Sequence, residues 1–204
     1  MSGTTNSPRI AARRQATRAE ILAAAWALAQ EQGLAGLSLR ELGTRVGMRA
    51  QSLYGYFASK NDIYDAMFAD GWRALLAEGI WPGPEVPVDR ERFKEGARQF
   101  VAFCLADPVR FQLLFQRTIP GFEPSAESYS VALDVLTHVE HASAALGITD
   151  QAHLDLQTAL ISGLISQQIA NDPGGDRWSR LVDDAIDMYL DHVLPDARPD
   201  RSAP

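Results

Sequence analysis

The chain has 204 residues, 46% of them apolar, a net charge of −7 and one cysteine. No apolar run approaches the ~18 residues that a membrane helix needs, and no signal-type core follows the N-terminal arginines, so no membrane partner is expected and cytoplasmic residence follows. The lone Cys104 excludes a disulfide framework and a cysteine-based zinc site, and its setting among Phe100, Val101, Phe103 and Leu105 predicts a packed thiol.

The negative total conceals a division. Residues 1–60 hold eight Lys/Arg against three acids, a net of +5, and residues 61–204 hold eleven against twenty-three, a net of −12. The first part can meet phosphate and the second is repelled by it.

Residues 1–14 are polar, small and basic, and are expected to be a disordered tail. Arg9, Arg13 and Arg14 would suit a narrow minor groove, but a solvated tail is the plainer reading. From Gln15 to about Gln32, alanines with Ile21, Leu22, Ala25, Trp26 and Leu28 predict a helix with one apolar face, ended by Gly33. Ser38-Leu39-Arg40-Glu41 reads as a capping box opening a short helix with Leu42 and Val46 inward. Gly47 can take the left-handed conformation that ends it.

A second short helix is expected between Gly47 and Ser59, where Ser59 and Asp62 form the next cap. Leu53 and Phe57 lie four apart and anchor one face. The other carries Arg49, Gln51, Ser52, Tyr54 and Tyr56, donors suited to base edges and phosphates. Two short helices joined at a glycine form a helix-turn-helix, whose second helix can enter a major groove.

Ser59 opens a long helix running to about Gly79, with Ile63, Met67, Phe68, Trp72, Leu75 and Leu76 at helical spacing; at ~1.5 Å per residue it can link the two halves of the chain. Helices follow over 89–106, 108–117, 125–146, 150–171 and 176–193, separated by Pro- and Gly-containing loops, and a polar tail occupies 195–204. No strand alternation or repeat appears. The fold class is all-α with about nine helices: 15–60 a helix-turn-helix domain, with the linking helix starting at 59, and 61–194 a second helical domain.

Residues 18–64 resemble the DNA-binding domain of the TetR family of one-component repressors. The matching residues are Ile21-Leu22, Ala24-Ala25, Leu28, Gly33, Leu37-Ser38, Leu42, Val46-Gly47, Leu53-Tyr54, Tyr56-Phe57 and Ser59-Lys60. Three positions depart from the family's pattern. Gly43 replaces its usual alanine and Ala29 an aromatic, losses of packing expected to leave function alone. Arg49 stands where a Ser or Thr usually caps the recognition helix, and the helix dipole disfavours a cation there unless an external acceptor meets it.

The resemblance implies DNA binding through Ser38, Arg49, Ala50, Gln51, Ser52, Tyr54, Gly55, Tyr56 and Lys60. Gln51 can pair bidentately with adenine and Arg49 with guanine. Ser38, Tyr54, Tyr56 and Lys60 are the expected phosphate contacts. It also places an effector pocket in the helices after the DNA-binding domain. There the aromatic concentration suggests an apolar cavity near Phe100, Cys104, Phe111, Phe115 and Tyr129, with His138 and Gln157 as polar contacts; ordinary core is the plainer reading for any single member.

The helices over 152–170 and 177–193 are apolar on more than one side, which predicts a second buried surface. In the family the final two helices pair with their copies as a four-helix bundle. Of His138, His141, His153 and His192, the first two share a helix face at i, i+3, but no Cys accompanies them and nothing resembles His-Glu-x-x-His; no nucleophile elbow, phosphate loop or dinucleotide fingerprint occurs. No cofactor, metal or catalytic residue is expected. The reading is a ligand-responsive repressor, not an enzyme, that binds a near-palindromic double-stranded DNA operator as a homodimer and is released by a small apolar effector. The alternatives are an activator, or an all-α binding protein or enzyme whose helix-turn-helix is incidental.

Overall fold

The computed structural model describes residues 7–194, and the tail expected at 195–204 lies outside the described residues, as do residues 1–6. Among the described residues there are nine α-helices and no strand. They are α1 (Ser7–Gln32), α2 (Leu39–Arg45), α3 (Ala50–Leu53), α4 (Lys60–Ala77), α5 (Arg90–Ala106), α6 (Pro108–Phe115), α7 (Ala126–Ala145), α8 (Gln151–Asn171) and α9 (Val182–Val193). Short 3-10 turns at Leu34–Gly36 and Ser179–Leu181 complete the set.

The helices divide into two compact units. The first runs through Gly71 and includes Gln112–Ser130; the second holds Trp72–Phe111 and the chain from Val131 onward. A boundary at residue 60 is thus too early, and a later segment joins the helix-turn-helix. Its attachments are specific. The Asp65 carboxylate accepts from the Ser125 amide at 2.6 Å and from the Ser125 and Ser128 hydroxyls at 2.9 and 2.7 Å. Ser125 caps α7, its hydroxyl oxygen accepting from the Ser128 amide at 3.1 Å, and the Asp65 side chain of α4 holds that cap. The rings of Tyr64 and Phe122 lie 5.7 Å apart. Gly71 lacks the Cβ that would stand 2.9 Å from the Leu114 side chain.

Within this first unit, Ile21, Ala25, Leu28, Leu34, Leu37, Leu42, Leu53, Phe57, Ile63 and Met67 are buried together with Ala29. Fully burying each large side chain contributes about 1.5–3 kcal/mol. Two polar anchors lock α4 to this core. Trp26 Nε1 donates to Asp70 at 2.8 Å, and the Tyr64 hydroxyl donates to the Leu34 carbonyl at 2.6 Å.

Helix α1 starts at Ser7, so residues 7–14 of the expected tail are helical. The local chemistry permits it: Pro8 falls in the first turn, where its missing N–H costs nothing, and Ile10, Ala11, Ala12, Arg13 and Arg14 lack a helix breaker.

In the second unit α5 packs on α8 and α9, with Phe93, Ala97, Val101, Cys104, Ile161, Ile165, Val182, Ile186 and Tyr189 buried. Gly96 admits the Trp81 ring, which would stand 2.4 Å from a Cβ there. An ion-pair ladder joins α5 to α9: Arg90 to Asp187 and Asp191 at 2.8 and 2.6 Å, Lys94 to Asp187 at 3.4 Å, and Arg98 to Asp183 at 2.8 Å. Arg98 also meets Glu91 and Glu95, which hold its ionisation above the usual arginine range.

The last helix begins at Val182, six residues later than its pattern indicates. The buried Gln168 explains the delay. Its side-chain Oε1 accepts from the Trp178 and Ser179 amides at 2.8 and 3.1 Å, and the Asp172 carboxylate accepts from the Arg177 amide at 2.9 Å. These bonds hold the segment as a turn against the end of α8.

Candidate nucleic-acid interface

The helix-turn-helix is assembled from local signals. Ser38 caps α2, its hydroxyl oxygen accepting from the Glu41 amide at 3.2 Å. The return half of the expected box is not made: the Glu41 carboxylate accepts from Gln32 Nε2 at 2.7 Å. Gly47 has φ 66°, the left-handed value that favours glycine. The chain then doubles back, with the Met48 amide donating to the Gly43 carbonyl at 2.8 Å. Gly43 is buried, and a Cβ on it would stand 2.7 Å from the Met48 carbonyl oxygen and 3.2 Å from the Ala50 nitrogen. The departure from alanine thus bears directly on where the recognition helix starts.

Helix α3 spans four residues and is pinned from below by Leu53 and Phe57, both buried. Arg49 stands at its N-cap in extended conformation and makes no side-chain cap bond. Gln51, Ser52, Tyr54 and Gly55 are exposed with Arg49, while Ala50, Tyr56, Ser38 and Lys60 are half-buried. Ser59 and Asp62 cap the next helix reciprocally: the Ser59 oxygen accepts from the Asp62 amide at 3.1 Å, and the Asp62 carboxylate accepts from the Ala58 amide at 2.8 Å. Lys60 Nζ lies 5.3 Å from the Tyr64 ring centroid, a cation–π contact that holds the ammonium beside the start of α4. All nine expected DNA-facing positions thus lie in one unit, on or beside α2 and α3.

The remaining charges sort simply. Arg45 pairs with Glu31. Arg9, Arg13, Arg40 and Arg49 are exposed and have no acidic partner among the described residues. Two arginines outside the nine expected DNA-facing positions point the other way, Arg14 among them although its residue type suits a minor groove. Arg14 and Arg18 donate from α1 to the carbonyls of Gly55 and Tyr56, just past the recognition helix. Their i, i+4 spacing places them on one face of α1, but only the folded chain shows what that face meets.

The expected ligand-binding residues divide between the units. Phe100, Cys104, Phe111, His138 and Gln157 belong to the second, Phe115 and Tyr129 to the first. Cys104, Phe111 and Gln157 are buried, Phe100, Phe115 and His138 are half-buried, and Tyr129 is exposed. Burial pushes the Cys104 thiol up to about 12. Gln157 accepts from the Ser143 hydroxyl at 3.4 Å. His138 Nδ1 lies 2.7 Å from the Asp134 carbonyl oxygen of its own helix.

The family model for bacterial regulatory proteins, tetR family, matches residues 21–67, which contain the whole helix-turn-helix. Over that stretch the chain is similar to the TetR family of regulators. Among its relatives is the class A tetracycline repressor protein from transposon 1721 of Escherichia coli, 28% identical over 189 residues, covering 87% of this chain and 82% of that protein. The TetR-family fold recurs in solved structures. The regulator PfmR of Thermus thermophilus is 20% identical with a TM-score of 0.60, over 83% of this chain and 96% of its own. The regulator FadR of Bacillus subtilis, solved with stearoyl-CoA, is 14% identical with a TM-score of 0.60 over the same shares. The chain has the fold of TetR-family transcriptional regulators, and no helix among its described residues is long and apolar enough to cross a membrane.

Proposed function

We propose that the protein is a ligand-responsive transcriptional repressor that binds a near-palindromic operator as a homodimer and is released by a small apolar effector. The observation that carries this reading is the exposed face of α3. Arg49, Gln51, Ser52 and Tyr54 all lie on the side of α3 away from its buried Leu53–Phe57 anchor. Gln51 and Arg49 read base edges, and Ser38, Tyr54, Tyr56 and Lys60 hold phosphates, with Ala50 and Gly55 close to the groove. The similarity to a tetracycline repressor favours repression. The role is non-enzymatic.

The dimer is supported by the outer faces of α8 and α9. Ala152, Leu156, Ala159 and Gly163 line an exposed stripe on α8, with Leu156 44% exposed, and Met188 on α9 is 63% exposed. A two-fold pairing of these faces would bury them and set two recognition helices about 34 Å apart, one turn of DNA. The effector reading rests on the apolar residues of the helices beyond the DNA-binding domain, and a fatty-acyl ligand in a protein of the same fold is consistent with it. Such a ligand must bind the DNA-incompetent state more tightly, or it shifts nothing.

The test is enrichment of duplexes from a random library, followed by titration of the enriched duplex at several salt concentrations. The reading expects a palindromic consensus, one dimer bound per site, and release by a member of a panel of apolar small molecules. Failure to enrich any sequence over random duplex would remove the repressor reading.

A further inference from the structure

We propose that Arg14 and Arg18 are positioning residues for DNA reading: they clamp the end of the recognition helix to α1 and so set the angle at which α3 meets a groove. The proposal rests on the DNA-reading role of α3 argued above. Helix α3 has four residues and cannot hold its own geometry. Beyond Leu53 the chain turns tightly, with the Tyr56 and Phe57 amides both donating to the Leu53 carbonyl at 2.8 and 2.9 Å. The carbonyls of Gly55 and Tyr56 receive no backbone N–H among the described residues. They lie just past the C-terminal end of α3, where a cation is favoured.

Two guanidinium groups supply it. Arg14 donates to the Gly55 carbonyl and lies 5.3 Å from the Tyr56 ring centroid. Arg18 donates to the Tyr56 carbonyl and lies 4.2 Å from the Phe57 ring centroid. Each arginine thus donates to a peptide carbonyl and stands over an aromatic ring. Lysine can do neither in the same geometry. Adjacent peptide planes held this way leave Tyr54 and Tyr56 little freedom to swing. Arg14 is exposed, yet its charge is turned to the protein, unlike that of its neighbour Arg13.

The test uses the full chain and two DNA probes: a duplex enriched from a random library, and a scrambled duplex of equal composition. Arg14→Ala should weaken the enriched duplex by about tenfold, leave the scrambled duplex within about twofold, and keep the salt slope of wild type. Arg14→Lys and Arg18→Lys should behave like loss of the clamp, despite keeping the charge. Hydrogen exchange of the free protein should show faster exchange at Gly55, Tyr56 and Phe57 in Arg14→Ala, with α5, α8 and α9 unchanged. Full rescue by Arg14→Lys, or a salt slope lowered by about one per subunit, would make Arg14 a phosphate contact and overturn the proposal. Unchanged exchange at residues 55–57 would overturn it as well. If wild type enriches no duplex but the exchange difference appears, the clamp stands and the DNA reading of α3 is what fails.

Discussion

The backbone carbonyl oxygen of Met48 lies 2.7 Å from the point where a Cβ on Gly43 would stand. The contact is with backbone, so no side chain can rotate to relieve it. Gly43→Ala gains about 1 kcal/mol of helix propensity but incurs about 1–3 kcal/mol of overpacking. We expect a net loss of up to about 2 kcal/mol and a displaced start of α3, read as a lower midpoint in denaturant and weaker operator binding. A variant that matches wild type in both would show that the turn absorbs the methyl group without moving Arg49 or Ala50.

Base reading and phosphate holding should separate on mutation. Gln51→Ala should cost about 1–3 kcal/mol on the enriched operator and relax preference at one position. Lys60→Ala should weaken all sequences alike and lower the salt slope by about one per subunit. Titrations of both variants on enriched and scrambled duplexes check this. Equal losses for Gln51→Ala on the two duplexes would remove its role as a base reader.

The apolar arcs of α8 and α9 have two destinations, and this decides which substitutions test the dimer. Ile186 is fully buried within the chain. A charge there would create an unpaired buried ion and unfold the second unit. Leu156 and Met188 are exposed, so Leu156→Glu with Met188→Glu should leave the fold and its far-ultraviolet circular dichroism intact. Sedimentation velocity at micromolar concentration should then give monomers, against a dimer for wild type. A monomeric wild type would end the two-fold reading.

The Cys104 thiol should be chemically silent in the folded protein. With its ionisation pushed up to about 12, almost no thiolate exists at pH 8, and burial blocks access. Alkylation by iodoacetamide at pH 8 should be slow until denaturant is added, then rapid. The sign of the linked stability follows. In alkaline solution the unfolded chain has lost this proton while the folded chain keeps it, so stability should fall as pH rises past the ordinary thiol range of about 8.5. Rapid native alkylation would place Cys104 at a solvent-open site instead.

The helix-turn-helix was legible because its signals are local. Ser38, Gly47, Ser59 and the Leu53–Phe57 pair each act within a few residues of themselves. What escaped depends on distant partners. Asp65 is an unremarkable acid in a helical pattern until Ser125 and Ser128 arrive at its carboxylate, so the tie of 112–130 to the first unit could not be read. Gln168 likewise looks like one more polar residue of α8, yet its side chain stops α9 from beginning at Asp176. The family resemblance supplied the DNA-facing residues. It did not supply Arg14 and Arg18, whose partners lie 41 and 38 residues away.

The course of α1 has a practical consequence for handling the protein. Arg14 is fastened beside Gly55, and Ser7 lies two turns earlier on the same helix, about 10 Å away. Anything fused ahead of Ser7 therefore leaves the fold close to the recognition helix. A polyhistidine tag placed there adds titratable, metal-binding groups at the surface where affinity for DNA is measured. Binding constants obtained with such a fusion would report the tag together with the protein, and cleaving it before titration removes that contribution.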